Sequence, residues 1–278
     1  MHMTSMTVLA YLAVVFAAGI GAGLLIYRMH SRRARAGDSS GSDGMSGSVG
    51  FIGGAAAFLL SVLMLASLDH YNATKGIVVD EALALSAAFD STDGLAPADQ
   101  ATMQRDLACL MRSVATNSWT AAENADLSGS DNTHAWRLRA SVDADRVEPK
   151  TKAQENSLSI LQSELINANK SGQQRLLAAD ADLPVSLWIL VFLSIFVLTA
   201  ILTALLRPHP SRTLAVTALG AVVVVSNAMV LALNAFDQPF DRGDGVYISP
   251  RAINAVMVRM EDTYPGGAWA PCEELADP

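Results

Sequence analysis

Four apolar runs limit this chain more than any other feature: Val8 to Tyr27, Phe51 to Leu68, Val185 to Leu206 and Thr213 to Phe236 contain no Asp, Glu, Lys, Arg or His. Each is close to the ~20 residues a helix needs to cross a hydrocarbon core of about 30 Å. Inside hydrocarbon every backbone polar group must be satisfied within its own segment, so these runs are read as helices. The low charged fraction, 17% of 278 residues, and a positive mean hydropathy agree with an all-α, multi-pass membrane protein. The first run is not read as a signal peptide: Met1 to Met6 carries no Lys or Arg, and Arg28, Arg32, Arg33 and Arg35 follow it.

Charge fixes the expected orientation. The short loops 28–49 and 207–212 hold six Arg and two acids, so the positive-inside rule places both in the cytoplasm and both termini outside. The stretch 69–184 has ten Lys or Arg against seventeen Asp or Glu, and 237–278 has three against eight. The acidity is therefore expected on the extracytoplasmic side of a prokaryotic plasma (inner) membrane. Such a surface argues against nucleic acid and against a basic patch seeking anionic lipid. Cys109 and Cys272 both fall on that outer side, where disulfides persist, and are expected to pair. Two separate buried thiols would give the same composition.

The segment order follows from these boundaries: span 1–27, a flexible cytoplasmic linker 28–49, span 50–68, an extracytoplasmic helical bundle 69–184, span 185–206, a cytoplasmic hairpin 207–212, span 213–236, and an outer tail 237–278 with a short amphipathic helix. The stretch from Phe51 to Phe89 is the strut of this plan. Helical throughout, it would measure roughly 58 Å, about twice the hydrocarbon thickness. Its lower part is expected to pack on the other spans through Gly53, Gly54 and Ala57, and Gly76 is expected to mark a bend or hinge. Gly19 and Gly23 have the small-xxx-small spacing that lets helix backbones approach, either within the chain or at a dimer seam. In the bundle, 98–122 and 151–179 carry apolar stripes at three- and four-residue steps, and 133–147 is a further helix. Ser249 and Pro250 read as an N-cap and first-turn proline ahead of a stripe of Ile253, Val256, Met257 and Met260.

A site is harder to find. The five histidines show no ligand spacing, and Walker, zinc-protease, nucleophile-elbow and dinucleotide motifs are missing, so no catalytic, cofactor-binding or metal residue is assigned and no enzyme is expected. The spans lack the ionisable residues that proton relays and ion-coupled carriers use. In the last span Ser226 and Asn227, with Asn234, are the notable polar groups, serving a path or a helix–helix hydrogen bond.

Several local motifs occur in a distinctive order. A glycine- and alanine-opened span leads to Tyr71 and then Glu81; Trp119 closes an outer helix; Arg175 precedes the Pro184 and Trp188 segment; Asp237, Pro239 and Phe240 follow the last span. Over about Gly50 to Met260 this arrangement resembles the bestrophin-like family of bacterial integral membrane proteins, a resemblance that implies an actinobacterial source, while the abundant Ala, Val, Asp and Arg and scarce Lys suit a prokaryote with a GC-rich genome. The resemblance implies kinship with bestrophins, which are oligomeric anion channels with a hydrophobic neck. Bestrophins carry their soluble mass in the cytoplasm, whereas the arginine bias puts this one outside. From the residues alone the expected function is a non-enzymatic accessory or scaffold subunit whose outer bundle binds a membrane or envelope partner. The alternatives are a homo-oligomeric bestrophin-like anion channel and an extracytoplasmic sensor module. The lipid bilayer is a partner in every case.

Overall fold

The computed structural model describes residues 5–35, 42–180, 183–206, 212–242, 246–264 and 272. Among them the regular structure is helical throughout, with no strand: α1 (Ser5–Arg35), α2 (Ser42–Ser91), α3 (Pro97–Ser113), α4 (Trp119–Glu123), α5 (Asp131–Asp145), α6 (Lys152–Ala179), α7 (Val185–Leu206), α8 (Arg212–Asp237) and α9 (Arg251–Thr263). Four segments are long and apolar enough to cross a membrane: Met6–Met29, Gly53–Gly94, Val185–Ala204 and Val216–Asp237. The chain forms two compact units, the first from residues 1–70, 182–238 and 243–246, the second from 71–181, 239–242 and 247–278.

In the first unit, α1 lies along α7. Val8, Leu12 and Phe16 recur at four-residue steps and are buried with Trp188, Val191 and Ile195 of α7 and Val230 and Leu233 of α8. Farther along the same stripe Gly19 and Gly23 lie close to α7. A Cβ on Gly19 would stand 3.0 Å from Thr199 Cβ, and one on Gly23 would stand 2.4 Å from the Ala200 carbonyl oxygen and 2.6 Å from Thr203 Cβ. Without a hydrophobic drive between helices in lipid, such backbone contact supplies the attraction.

Helix α2 requires two adjustments. Its buried or half-buried positions include Gly53, Ala56, Leu60, Leu63 and Ser67 in the first unit and Tyr71, Thr74, Val78, Glu81 and Leu85 in the second, each set advancing by three and four residues as a helical face does. Gly54 and Ala57 sit off that face and are exposed, and a Cβ on Gly54 would meet nothing within 4 Å. Gly53 is half-buried and Ala56 buried, so the inward contact runs through that pair, with Leu198 Cδ1 3.7 Å from the position of a Gly53 Cβ. The helix is also unbroken through Gly76, which is exposed and has open space around it. The helices extend farther into the 28–49 stretch than a tether would, since α1 reaches Arg35 and α2 begins at Ser42. Residues 36–41 and 207–211 lie outside the described residues.

The second unit is a helical bundle around Leu85 and Phe89 of α2, Met103, Leu107 and Met111 of α3, Trp136 of α5, Leu161 and Leu165 of α6, and Ile253 and Met260 of α9. Pro97 opens α3 at the first turn, where its missing N–H costs nothing. Thr151 caps α6 by accepting a hydrogen bond from Gln154 N–H at 3.2 Å. Ser249 and Pro250 do not cap as their types suggested: α9 starts one residue later, at Arg251, with no side-chain cap. Between α3 and α4 the chain makes a π-turn over Val114–Ser118, so the stripe expected as one regular helix contains a widened turn. The tail is tied down. Cys109 and Cys272 are disulfide-bonded with Cα atoms 5.5 Å apart, and Tyr264 O–H donates to Asp93 at 2.6 Å.

The glycine contacts predict an asymmetric pair of mutants. Gly23→Ala forces backbone apart at Ala200 and should cost about 1–3 kcal/mol, read as a lower detergent-solubilised melting temperature. Gly21→Ala, where a Cβ meets nothing within 4 Å, should leave it unchanged.

Candidate functional site

The second unit buries a carboxylate between two guanidiniums. Glu81 lies on the inward face of α2, Arg175 near the end of α6 and Arg137 in the middle of α5. The side chains of Glu81 and Arg175 are essentially inaccessible, 1% and 0% exposed, and Arg137 retains 16%. Arg175 Nε donates to Glu81 Oε2 at 2.7 Å and Nη2 to Oε1 at 3.4 Å, while Arg137 Nη2 donates to the same Oε1 at 3.1 Å. The planar fork of Arg175 is used almost completely: Nη1 also donates to the Ser118 carbonyl at 3.2 Å and Nη2 to Ser118 Oγ at 2.9 Å. Ser118 is the last residue of the π-turn, so the irregular turn delivers both of its oxygens to one guanidinium.

An aromatic wall completes this arrangement. The Arg175 guanidinium stands over the Trp119 ring at 4.9 Å, and Trp119 meets Phe240 edge-on with centroids 5.6 Å apart. Tyr71 is half-buried against the same cluster, and the Pro239 carbonyl accepts from Ile248 N–H at 2.7 Å. Five positions that stood out in sequence order, Tyr71, Glu81, Trp119, Arg175 and Phe240, thus converge in one region. Three others gather in the first unit: Leu183 N–H, beside Pro184, donates to Asp237 Oδ1 at 2.8 Å, and Pro184, Trp188 and Asp237 line a cavity of about 470 Å³ there. Ser226 and Asn227 join neither group. Ser226 is buried, and Asn227 Nδ2 donates to the Val223 carbonyl of its own helix at 2.7 Å.

Sequence reasoning did not single out Arg137, Ser118 or Gly172. Arg137 has the look of any solvated helix arginine. Gly172 did carry a signal, a glycine well inside a 28-residue helix, where it costs ~1 kcal/mol relative to alanine. A Cβ there would lie 2.0 Å from Arg137 Nη2 and 2.7 Å from Glu81 Oε1. The glycine is the gap through which Arg137 reaches the carboxylate. Burial lowers the Arg137 pKa, with Glu81 opposing the shift and Arg175 adding to it. The described residues contain no group of three or more His, Cys, Asp or Glu that could hold a metal ion.

A second buried acid behaves differently. Asp106 of α3 is 1% exposed, with Arg139 Nε at 3.2 Å from Oδ1 but not aligned as a hydrogen bond. Burial, reinforced by a hydrogen bond and repulsion from Asp143 and opposed by Arg139 and Arg105, pushes its pKa up to about 7. The folded protein therefore holds a proton that the unfolded chain releases near pH 4. Stability from this group is fully present below that value and is lost as pH rises through about 7. Thermal melts should show the wild type falling by roughly a few degrees between pH 5 and pH 8, and Asp106→Asn should flatten that slope. An equal slope in both proteins would contradict the assignment.

The bestrophin-like domain model matches residues 13–252. Crystal structures of two point variants of a bacterial bestrophin homolog from Klebsiella pneumoniae share the fold. One superposes with a TM-score of 0.67 at 11% identity, the other with 0.63 at 12%, each over 90% of this chain and 98% of that one. No curated protein sequence matches. Since the family model covers most of the chain and the helical fold agrees with it, this chain belongs to the bestrophin-like domain family.

Proposed function

We propose that this chain is a subunit of a homo-oligomeric, anion-conducting membrane channel. Membership of the bestrophin-like family is the observation that carries this reading, and it outweighs the accessory-subunit expectation, which rested on the lack of any legible site. The first unit supplies physical support. Only 11–28% of the residues in each span window are buried within the chain, so most of every span requires lipid or a neighbouring copy. The exposed Gly54 and Ala57 give α2 a smooth outer strip on which another helix can sit closely. Spans without ionisable residues suit a pore that gates by apolar constriction, where dewetting rather than a charged ring stops ions. The chemistry is non-enzymatic: it orders and excludes ions and needs no bond-making group.

The second unit belongs on the extracytoplasmic side in this proposal. Six arginines in the opposite loops favour that orientation, and so does a Cys109–Cys272 disulfide, which persists in an oxidising compartment. A membrane-impermeant maleimide should label the two cysteines on intact cells only after reductant. Labelling that requires cell lysis would reverse the orientation.

Conductance is the direct test. Protein extracted in mild detergent should run as a multimer by light scattering and should give proteoliposomes a chloride conductance. The Phe58→Asp variant, which places a charge on a residue 68% exposed on α2, should alter assembly or conductance. A strictly monomeric protein with liposomes as tight as empty ones would remove this reading.

A further inference from the structure

We propose that the cavity in the second unit is a binding site for a small organic carboxylate, held by Arg137. The cavity has a volume of about 510 Å³ and opens among α2, α3, α5 and α6. Its Glu81 is shared by two guanidiniums, Arg137 in the lining and Arg175 outside it. Glu81 is the sole carboxylate lining it, and Arg175 already engages that carboxylate through both Nε and Nη2. Arg137 is therefore a surplus cation. Among the described residues its guanidinium is seen to donate through Nη2 to Glu81.

With 16% of its side chain exposed, the guanidinium can offer N–H groups to a ligand that supplies an acceptor. Burial already disfavours its charged form, as the lowered pKa records. The chain nevertheless keeps a glycine at 172 in mid-helix, and any side chain there would displace Arg137 from this position. Two independent features, the surplus charge and the space reserved for it, thus hold a donor at the cavity wall.

The rest of the lining sets the ligand class. Leu85, Leu110 and Leu165 give an apolar side, while Ser130 and Asn169 add polar groups near the exposed part. A halide, about the size of one water at ~30 Å³, would leave most of the space unfilled. A carboxylate attached to a small apolar body matches both halves, with its oxygens on Arg137 and its body on the leucines. Occupancy of this site is read by binding and not by ion flux.

Benzoate is the probe, titrated calorimetrically into the full-length protein in nanodiscs, with benzyl alcohol as its neutral counterpart. Benzoate should bind saturably and at least tenfold more tightly than benzyl alcohol. Arg137→Gln should weaken benzoate at least tenfold, whereas Arg146→Gln, 74% exposed at the end of the same helix, should not. Should Arg137→Gln fail to fold, the exposed lining position Asn169 provides the second test. Asn169→Glu should weaken benzoate by roughly threefold or more relative to Asn169→Lys, a gap that narrows with salt. Equal binding of benzoate and benzyl alcohol, no saturable heat, or identical affinity in the two Asn169 variants would overturn the proposal. None of these outcomes depends on whether the protein conducts.

Discussion

The Glu81–Arg175 pair is the interaction on which the second unit depends. It joins α2 to α6 across 94 residues of sequence, and neither side chain reaches water. Desolvating two charges can cost as much as their attraction returns, so the pair is not a simple source of stability. What makes it tolerable is the number of hydrogen bonds around it: Ser118 takes two from the guanidinium, and Arg137 gives another to the carboxylate. The consequence is a strong constraint on geometry. Removing either partner would strand a charge, at a loss of about 3–5 kcal/mol. The π-turn, the Trp119 ring and Gly172 can each be understood as fitting the backbone to this one ion pair.

Helix α2 links that constraint to the membrane part of the sequence. Its buried positions run from Gly53 to Ser67 in the first unit and from Tyr71 to Leu85 in the second, where they include Glu81. A buried helical face needs a partner in each unit. The first unit offers α7 at Gly53 and the second offers α6 at Glu81. The exposed Gly76 lies off the buried face, so its lack of a side chain removes no contact.

The spans, the helical bundle and the disulfide were legible because each leaves a one-dimensional mark: an uncharged run, a repeating stripe, a pair of cysteines in one compartment. The choice among Gly53, Gly54 and Ala57 was not, because small residues mark every face of a glycine-rich segment alike, and only the rotation of the helix decides which face turns inward. Glu81, Trp119 and Arg175 could be picked out individually by their order along the chain. Their convergence was hidden, since it depends on the relative placement of three helices and a widened turn. Arg137 was invisible for a different reason: a buried arginine and a solvated one are written the same way, and the difference lies in a glycine from another helix.

Net charge gives a final example of scale. The sequences forming the second unit are strongly acidic overall, and that excess bears on distant encounters, which salt screens beyond about 10 Å. Around Glu81 the balance is reversed, with two guanidiniums on one carboxylate. At contact distances and lower local dielectric, neighbouring groups outweigh a remote surface excess. An acidic surface therefore argues against steering large polyanions to this protein, but says little about a small carboxylate already within reach of Arg137. A charge summed over a chain bounds what the outside attracts, while an individual site is set by a few groups whose arrangement the sum averages away.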